Sequence, residues 1–395
     1  MSDEVEKVAS TRHWFIADDL KKRFLDGGFP DGLLPPHQEL RKDYGASPIT
    51  IDKAIQHLRD DGWVESRKGA RRKIKNPGQQ VYFFSLEQIV VYLCAERLRN
   101  EASEEPTWFF VDLLESTTEA LNHRGYQILY IPTNNDPRME ATAIQMLSQR
   151  PEVKGFIGIP AMAHASDDSW SFLMRTGKPF LLLDRGVRGL KAPLLTINNV
   201  EAGFTAVNHL LESGYRKIFY ICERPLNQTT PAYERWRGGF DAVKEWQAEY
   251  GADSVVYEYL HPPRPTPYAK AGRTQAQKVI SKIRSAGPGS ELGHVAIFAI
   301  NDPVAISARE HLKKSGYNIP EQIGLVSVDN SPISDITGLS TVSQHPTVLA
   351  QRGTELLIQW IETGRKPTPK EIKDIVESKH LKPKLMARST TRREI

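Results

Sequence analysis

Residues 34–75, LPPHQELRKDYGASPITIDKAIQHLRDDGWVESRKGARRKIK, read as two short helices joined by a glycine turn and followed by a basic hairpin. Pro35 and Pro36 can open the first of these helices, because a first turn needs no N–H partner there. Leu40 is its core contact, and Gly45 ends it. Ser47 then offers an N-cap hydroxyl, with Pro48 at the first helical position. Ile51, Ala54, Ile55 and Leu58 form the inward stripe of the next helix. Its outward face is left with Pro48, Ile49, Asp52, Lys53 and Gln56, and Gly62 stops it. Trp63–Ser66 and Arg72–Lys75 can pair as two strands around Lys68-Gly69-Ala70. Upstream, Ile16, Leu20 and Phe24 recur every fourth residue beside Ala17. They predict a helix over about 12–26, broken by DGGFPDG at 26–32.

Helix, turn, helix and basic wing together predict a winged helix-turn-helix that reads double-stranded DNA. A helix N-terminus in the major groove brings its first turn to the base edges, and its free N–H groups attract phosphate. The wing supplies affinity without sequence information. Residues 66–75 hold Arg67, Lys68, Arg71, Arg72, Lys73 and Lys75 with no acid among them. Candidate DNA contacts are therefore Ser47, Pro48, Ile49, Thr50, Asp52 and Lys53, with Arg67, Lys68, Gly69, Arg71 and Arg72 from the wing.

This segment resembles the GntR family of bacterial regulators. The family pattern runs LPS-x-R-x-LA, then V-S-R-x-TV-R-x-AL, then L-x-x-x-G and a wing with a glycine. LPPHQEL, ASPITIDKAI, LRDDGW and RKGARRK take those places. Gln38, Pro48 and Asp52 stand where the family commonly has arginine, so the resemblance implies the family's scaffold with an atypical operator, and it adds Gln38 to the candidate DNA contacts. Pro48 and Ile49 suit thymine methyls, and Asp52 can accept from a cytosine amino group. The bland alternative is that Asp52 packs beside Lys53 and touches no DNA.

The remaining 320 or so residues set what the reader responds to. At 395 residues, 39% hydrophobic and 25% charged, the chain is expected to form two or three globular domains. No apolar run approaches the roughly 18 residues of a membrane span. The polar start MSDEVEKVAS lacks the apolar region of a signal peptide. Two cysteines, Cys94 and Cys222, are too few for a disulfide framework. These features together predict a cytoplasmic protein. The net charge of +4 is mild, so the local basic block rather than the total marks the nucleic-acid partner.

Asn76–Gln80 is turn-rich, which suggests a DNA-binding domain over 1–76, a linker over 77–87 and a large domain over 88–395. There a βα rhythm begins. Apolar strands at 89–95, 127–133, 155–161, 179–184, 217–222, 254–260, 294–301 and 324–330 alternate with amphipathic helices. Such alternation predicts parallel sheets covered on both faces. The strand count is near double what one doubly wound lobe needs, so the expected fold class is α/β: a winged helix-turn-helix followed by two doubly wound lobes with a cleft between them. Ligands of such folds sit beyond the C-terminal strand ends. Asp184-Arg185, Asn301-Asp302 and Asp329-Asn330 lie there, acceptors and forked donors suited to a polyol, although each could simply cap the next helix.

Those residues carry a second resemblance. KPFLLLDR, NNVEAGFTAVNHLLESGYRKIFYI, ERWRGGFDAV, FAINDPVAISAREHLKKSGYNIPEQIGLVSVDN, LSTVSQHP and the closing RST are similar, in order and spacing, to the sensor domain of LacI/GalR repressors, itself like periplasmic sugar-binding proteins. The resemblance implies an effector, usually a sugar or a nucleotide base, held by Asp184, Arg185, Arg235, Asn301, Asp302, Asp329 and Gln344. ERWRGGF has one glycine more than the usual pattern, so Arg235 or Arg237 fills the arginine place. Residues 96–106 sit where the family's first-strand loop lines the pocket. A GntR-type headpiece on a LacI-type sensor resembles arabinose-repressor-like chimeric regulators. It implies a homodimer on a pseudo-palindromic operator, released or recruited by effector.

Competing readings are a transport binding protein and an enzyme on a two-lobed scaffold. No P-loop, HExxH, CxxC or G-x-S-x-G is present, and AGPGSELG (286–293) precedes a strand rather than following one. No catalytic residue, metal or cofactor is therefore assigned. Trp108 and Trp170 are candidate sugar-stacking platforms, with core packing the alternative, and Trp236 and Trp246 read as core.

Overall fold

The structure, a computed structural model, describes residues 2–25, 28–29, 32–60, 63–65, 73–74, 88–96, 98, 107–161, 167–187, 189–286, 294–366, 368–376 and 381–391. The chain divides into two compact units, residues 1–85 and 86–395.

In the first unit, helix α1 spans Ser2–Leu25, starting ten residues earlier than its apolar stripe suggested. Helices α2 (His37–Tyr44) and α3 (Pro48–Asp60) follow, then strands β1 (Val64–Glu65) and β2 (Lys73–Ile74), which pair antiparallel. Ile16, Ala17 and Leu20 of α1 meet Leu40 of α2 and Ile51, Ala54, Ile55 and Leu58 of α3 in one buried cluster. The turn between α2 and α3 is built as its sequence requires. Gly45 takes a left-handed φ of 55°, which closes α2 at little steric cost only without a Cβ. Arg12 reaches from α1 to donate to the carbonyls of Tyr44 and Gly45 at 3.0 and 3.2 Å, a cation on the carbonyls that end the helix. The Ser47 hydroxyl accepts the Thr50 N–H at 3.2 Å and caps α3.

The second unit holds two parallel sheets. The first comprises β3 (Ile89–Cys94), β4 (Gln127–Pro132), β5 (Val153–Ile159), β6 (Phe180–Leu183) and β7 (Leu194–Leu195), in the order β4-β3-β5-β6-β7. Helices α4 (Trp108–His123), α5 (Pro137–Ser148) and α6 (Asp167–Thr176) alternate with these strands. Successive residues of β3 feed opposite cores, as the pleat demands: Val90, Tyr92 and Cys94 on one face, Val91 and Leu93 on the other.

Helix α7 (Asn199–Glu212) opens the second lobe, followed by β8 (Lys217–Ile221), α8 (Thr230–Tyr250), β9 (Val256–Leu260), α9 (Tyr268–Ser285), β10 (Val295–Ala299), α10 (Asp302–Lys314), β11 (Ile323–Asp329), α11 (Pro332–Thr337) and β12 (Ser340–Ser343). Helices α12 (Pro346–Thr363) and α13 (Pro369–Val376) then precede β13 (Lys384–Met386). The second sheet runs β13-β12-β11-β10-β8-β9, with β13 alone antiparallel. Leaving β13 aside, both sheets share one strand order, which places two equivalent C-terminal strand edges about the cleft. Helix α12 returns to the first lobe, where Leu349, Ala350, Leu357 and Ile358 join the core under β3 and β6. Helices α7 and α8 pack backbone to backbone. A Cβ at Gly203 would lie 2.0 Å from the Arg235 carbonyl oxygen, and one at Gly238 would lie 1.9 Å from that of Val200. Gly239, the extra glycine, faces the Tyr257 ring instead. The closing RST is a clip: Thr390 Oγ1 donates to Leu325 O at 2.7 Å, and Arg388 donates to Asn330 Oδ1 at 2.8 Å. Among the described residues no helix is long and apolar enough to cross a membrane.

Candidate functional site

The headpiece presents a polar face on α2 and α3. Gln38, Ser47, Pro48, Asp52 and Lys53 are exposed, Thr50 is half-buried, and Ile49 is 70% exposed, unusual for a large apolar side chain with no partner. Asp52 Oδ1 lies 3.0 Å from Nε2 of His37 on α2, a contact that ties the N-terminal part of α3 to the preceding helix. Of the wing, β1 and β2 are described, with the Val64 side chain buried in the headpiece core, and their pairing matches the hairpin expected there. Arg67, Lys68, Gly69, Arg71 and Arg72, and the linker at 77–87, lie outside the described residues.

In the large unit a cleft of about 470 Å³, its solvent mouth included, gathers the strand ends of both lobes. From the first lobe come Glu96, after β3, and Asp184 and Arg185, after β6. From the second come Glu223, Arg235, Asn301, Asp329 and Gln344. Phe109 and Phe110 of α4 and Tyr268 of α9 supply aromatic surface. Arg235 is 3% exposed and fully engaged: it donates to Asn199 Oδ1 at 2.9 Å, Ile300 O at 2.7 Å and Gln344 Oε1 at 2.9 Å. Gln344 passes the link on, donating to Asp329 Oδ1 at 2.5 Å. Asp184 and Asp329 hold positive φ values of 65° and 143°, backbone conformations that L side chains rarely adopt.

The charges are not equivalent. Burial would raise the Glu96 carboxyl, but the guanidiniums of Arg224 and Arg185 overcome it and hold the group at about 2. Burial wins at Asp329, pushing its carboxyl well above the ordinary range with help from Asp302, against Arg235 and Gln344. Asp184 is raised for the same first reason, with Arg185 opposing. Two polar atoms of the lining are buried without a hydrogen-bond partner among the described residues: Glu223 Oε2, and Arg185 Nε, whose nearest acceptor is the Asp184 carboxylate at 3.5 Å.

Of the residues expected to meet in the cleft, Asp184, Arg185, Arg235, Asn301, Asp329 and Gln344 do so. Asn301 also caps α10, accepting the Val304 N–H at 3.1 Å. Two expectations are corrected. The Arg237 side chain is 59% exposed on the far side of α8, 3.8 Å from Asp241, because a two-residue step along a helix turns it away from Arg235. Asp302 does not line the cleft. It is fully buried behind it, accepting from Ser327 Oγ, Thr341 Oγ1, and both N–H and Oγ of Ser331 at 2.6–2.8 Å. Trp170 is likewise core, its indole donating to Glu140 at 2.9 Å, and Trp108 is half-buried outside the lining. Glu96, Glu223, Tyr268, Phe109 and Phe110 were not singled out from sequence. For Glu96 the signal was its place at the head of the charged stretch after the first strand.

Residues 14–74 match the bacterial regulatory proteins of the gntR family, and residues 207–391 match the periplasmic binding protein-like domain. The chain is a chimeric DNA-binding regulator with a GntR-type headpiece and a periplasmic-binding-protein-like sensor. Two relatives align along almost the whole chain. The arabinose metabolism transcriptional repressor of Halalkalibacterium halodurans is 26% identical over 394 residues, covering 96% of each chain. That of Geobacillus stearothermophilus is 22% identical over 386 residues, covering 96% of this chain and 94% of the relative. Among solved structures, a periplasmic binding protein/LacI transcriptional regulator from Alkaliphilus metalliredigens complexed with D-xylulofuranose aligns with a TM-score of 0.58. It is 21% identical and covers 77% of this chain and 99% of its own, a likeness of fold.

Proposed function

We propose that the chimeric regulator binds a small neutral polyol, of pentose size, in the cleft and that this sets the affinity of the headpiece for a DNA operator. The observation that carries the reading is the cleft's mixture of fixed donors, fixed acceptors and aromatic faces, with Glu223 Oε2 buried and without a hydrogen-bond partner among the described residues and Arg185 Nε facing only the Asp184 carboxylate at 3.5 Å. A polyol hydroxyl both donates and accepts, so one ligand can satisfy both atoms. A buried polar atom left unmatched costs roughly 1–3 kcal/mol, which is the free energy such a ligand recovers. Direct ligand contacts are assigned to Asp184, Arg185, Arg235, Asn301, Asp329 and Gln344. Repressor relatives named for arabinose metabolism support a sugar as the class.

DNA contacts are assigned to the exposed side chains of α2 and the first turns of α3, with the basic wing on the phosphates. The protein acts as a homodimer in the cytoplasm, each headpiece reading one half-site, and it performs no catalysis. Coupling requires the sugar to favour one lobe arrangement, and the operator must shift sugar affinity by the same factor. The test is fluorescence anisotropy on the DNA upstream of its own gene, with L-arabinose, D-xylose and D-ribose as probes. Operator affinity should fall steeply with salt, as expected for roughly four to eight phosphate contacts, and should change with at least one pentose. Salt-independent binding, or an affinity indifferent to all three sugars, would refute the reading.

A further inference from the structure

Strands β3 and β8 occupy the same place in their sheets, and their ends are built alike. Cys94 Sγ donates to Glu96 O at 3.3 Å, and Cys222 Sγ donates to Arg224 O at 2.8 Å. Two residues upstream, Tyr92 and Tyr220 are both buried, each facing a tyrosine of the neighbouring edge strand, Tyr130 and Tyr259. The same local geometry therefore delivers a carboxylate from one lobe and a guanidinium from the other. Glu96 Oε1 lies 3.4 Å from Arg224 Nη2, and Glu96 Oε2 accepts from Tyr268 Oη at 3.5 Å. Arg224 and Tyr268 belong to the second lobe and Glu96 to the first; Glu96 and Arg224 are buried, and Tyr268 is half-buried.

Each end has a short partner in its own lobe. Within the first lobe Arg185 donates to Glu96 at 2.5 Å, with Asn135 a longer donor at 3.4 Å, and within the second Arg224 donates to Glu223 at 2.8 Å. Both cross-lobe limbs are long, near the limit of a hydrogen bond. Each half is thus oriented by a tight partner of its own lobe, while the joining limbs have room to shorten. We propose that Glu96, Arg224 and Tyr268 form a clasp that draws the two lobes together before any effector arrives, so that Glu96 is a positioning residue for closure. The charge balance agrees: the two arginines hold Glu96 ionised against its burial. A clasp of this kind raises the fraction of protein already competent to bind, and apparent affinity rises with that fraction.

The inference rests on reading the cleft as the effector site, but its test uses neither operator nor sugar, so the two fail separately. In the intact protein, spin labels placed by Met146→Cys on α5 and Tyr250→Cys on α8 report the lobe separation by pulsed electron resonance. Native Cys94 and Cys222 are buried, which keeps them from the label. Relative to the labelled parent without sugar, Glu96→Gln and Arg224→Gln should each move the distance distribution toward the open separation. The closed-to-open ratio should fall roughly 5- to 100-fold, the span of ordinary conformational couplings. Combining the two should add little, because either one breaks the same limb. Tyr268→Phe removes one hydroxyl, keeps every charge paired and should give a smaller shift in the same direction. It also reports where a charge variant fails to fold, as checked by circular dichroism. Distributions that superimpose on the parent in every folded variant overturn the clasp.

Discussion

Arg235 and Arg237 are two residues apart on one helix, and the structure assigns them opposite fates. Arg235→Gln removes the donor of three buried acceptors: Asn199 Oδ1, Ile300 O and Gln344 Oε1. The shorter glutamine can serve one of them at most. Two stranded acceptors at roughly 1–3 kcal/mol each give about 4 kcal/mol of lost stability in the sensor domain. Arg237→Gln gives up only an exposed pair with Asp241, one turn along the helix, of the kind that contributes about 0.3–0.5 kcal/mol. Urea denaturation of the intact chain, followed by far-ultraviolet circular dichroism, separates the two. With an m value of about 3 kcal/mol/M, Arg235→Gln should lower the sensor midpoint by about 1 M or more, and Arg237→Gln should leave it almost unmoved. In the operator assay Arg235→Gln should lose its response to sugar, and Arg237→Gln should keep it. Equal midpoint shifts, or a sugar response lost with Arg237 and kept without Arg235, would refute the argument.

Four further outcomes follow from the same geometry. Asp302→Ala should lower the melting temperature of the sensor with or without sugar, because Ser331 N–H and three hydroxyls lose their buried acceptor, at about 1–3 kcal/mol for a donor left unsatisfied. An unchanged melting temperature with a lost sugar shift would restore Asp302 as a ligand contact. The raised Asp329 carboxyl favours folding only while protonated, an advantage complete below the unfolded value and lost as pH rises through the folded one. Asp329→Asn should therefore melt higher than the parent at pH 7.5, and the gap should close toward pH 4; a gap that widens in acid contradicts the sign. Gly238→Ala sets a Cβ 1.9 Å from the Val200 carbonyl oxygen and should cost more than the roughly 1–3 kcal/mol of ordinary overpacking, read as loss of folded protein on thermal melting. Ser47→Ala should cost the headpiece about 1 kcal/mol of helix-cap stability, seen as a lower first melting transition with the sensor transition unchanged.

Local periodicity revealed the elements that depend on local rules. The inward stripe of α3, its Ser47 cap, the Gly45 turn and the alternating strands of the sensor stand where the residues put them. What stayed hidden depends on contacts distant in the chain. Nothing in Pro346–Thr363 says that this helix leaves the sheet just completed and packs on the first lobe. Asp302 has the composition of a ligand contact, and only Ser327, Ser331 and Thr341, converging from 25–39 residues away, show it to be a buried strut. Glu96 and Arg224 are 128 positions apart, and no spacing rule predicts that two equivalent strand ends face each other with opposite charge. The ambiguity between Arg235 and Arg237 came from an inserted-looking glycine. Burial separates the two: Arg235 is 3% exposed with three buried acceptors, and the Arg237 side chain is 59% exposed.

The passage of the chain between lobes, after β7, after β12 and before β13, has a consequence for biosynthesis. Helix α12 finishes the first lobe and β13 finishes the second, so neither lobe is complete until the final fifty residues leave the ribosome. The headpiece, by contrast, has the core seen among its described residues within the first 64. During translation at about 5–20 residues per second, a nascent chain therefore carries a finished DNA reader for many seconds before it can sense anything. A stop codon near residue 340 would make that condition permanent, producing a fragment with its reading head intact and both sensing lobes unfinished.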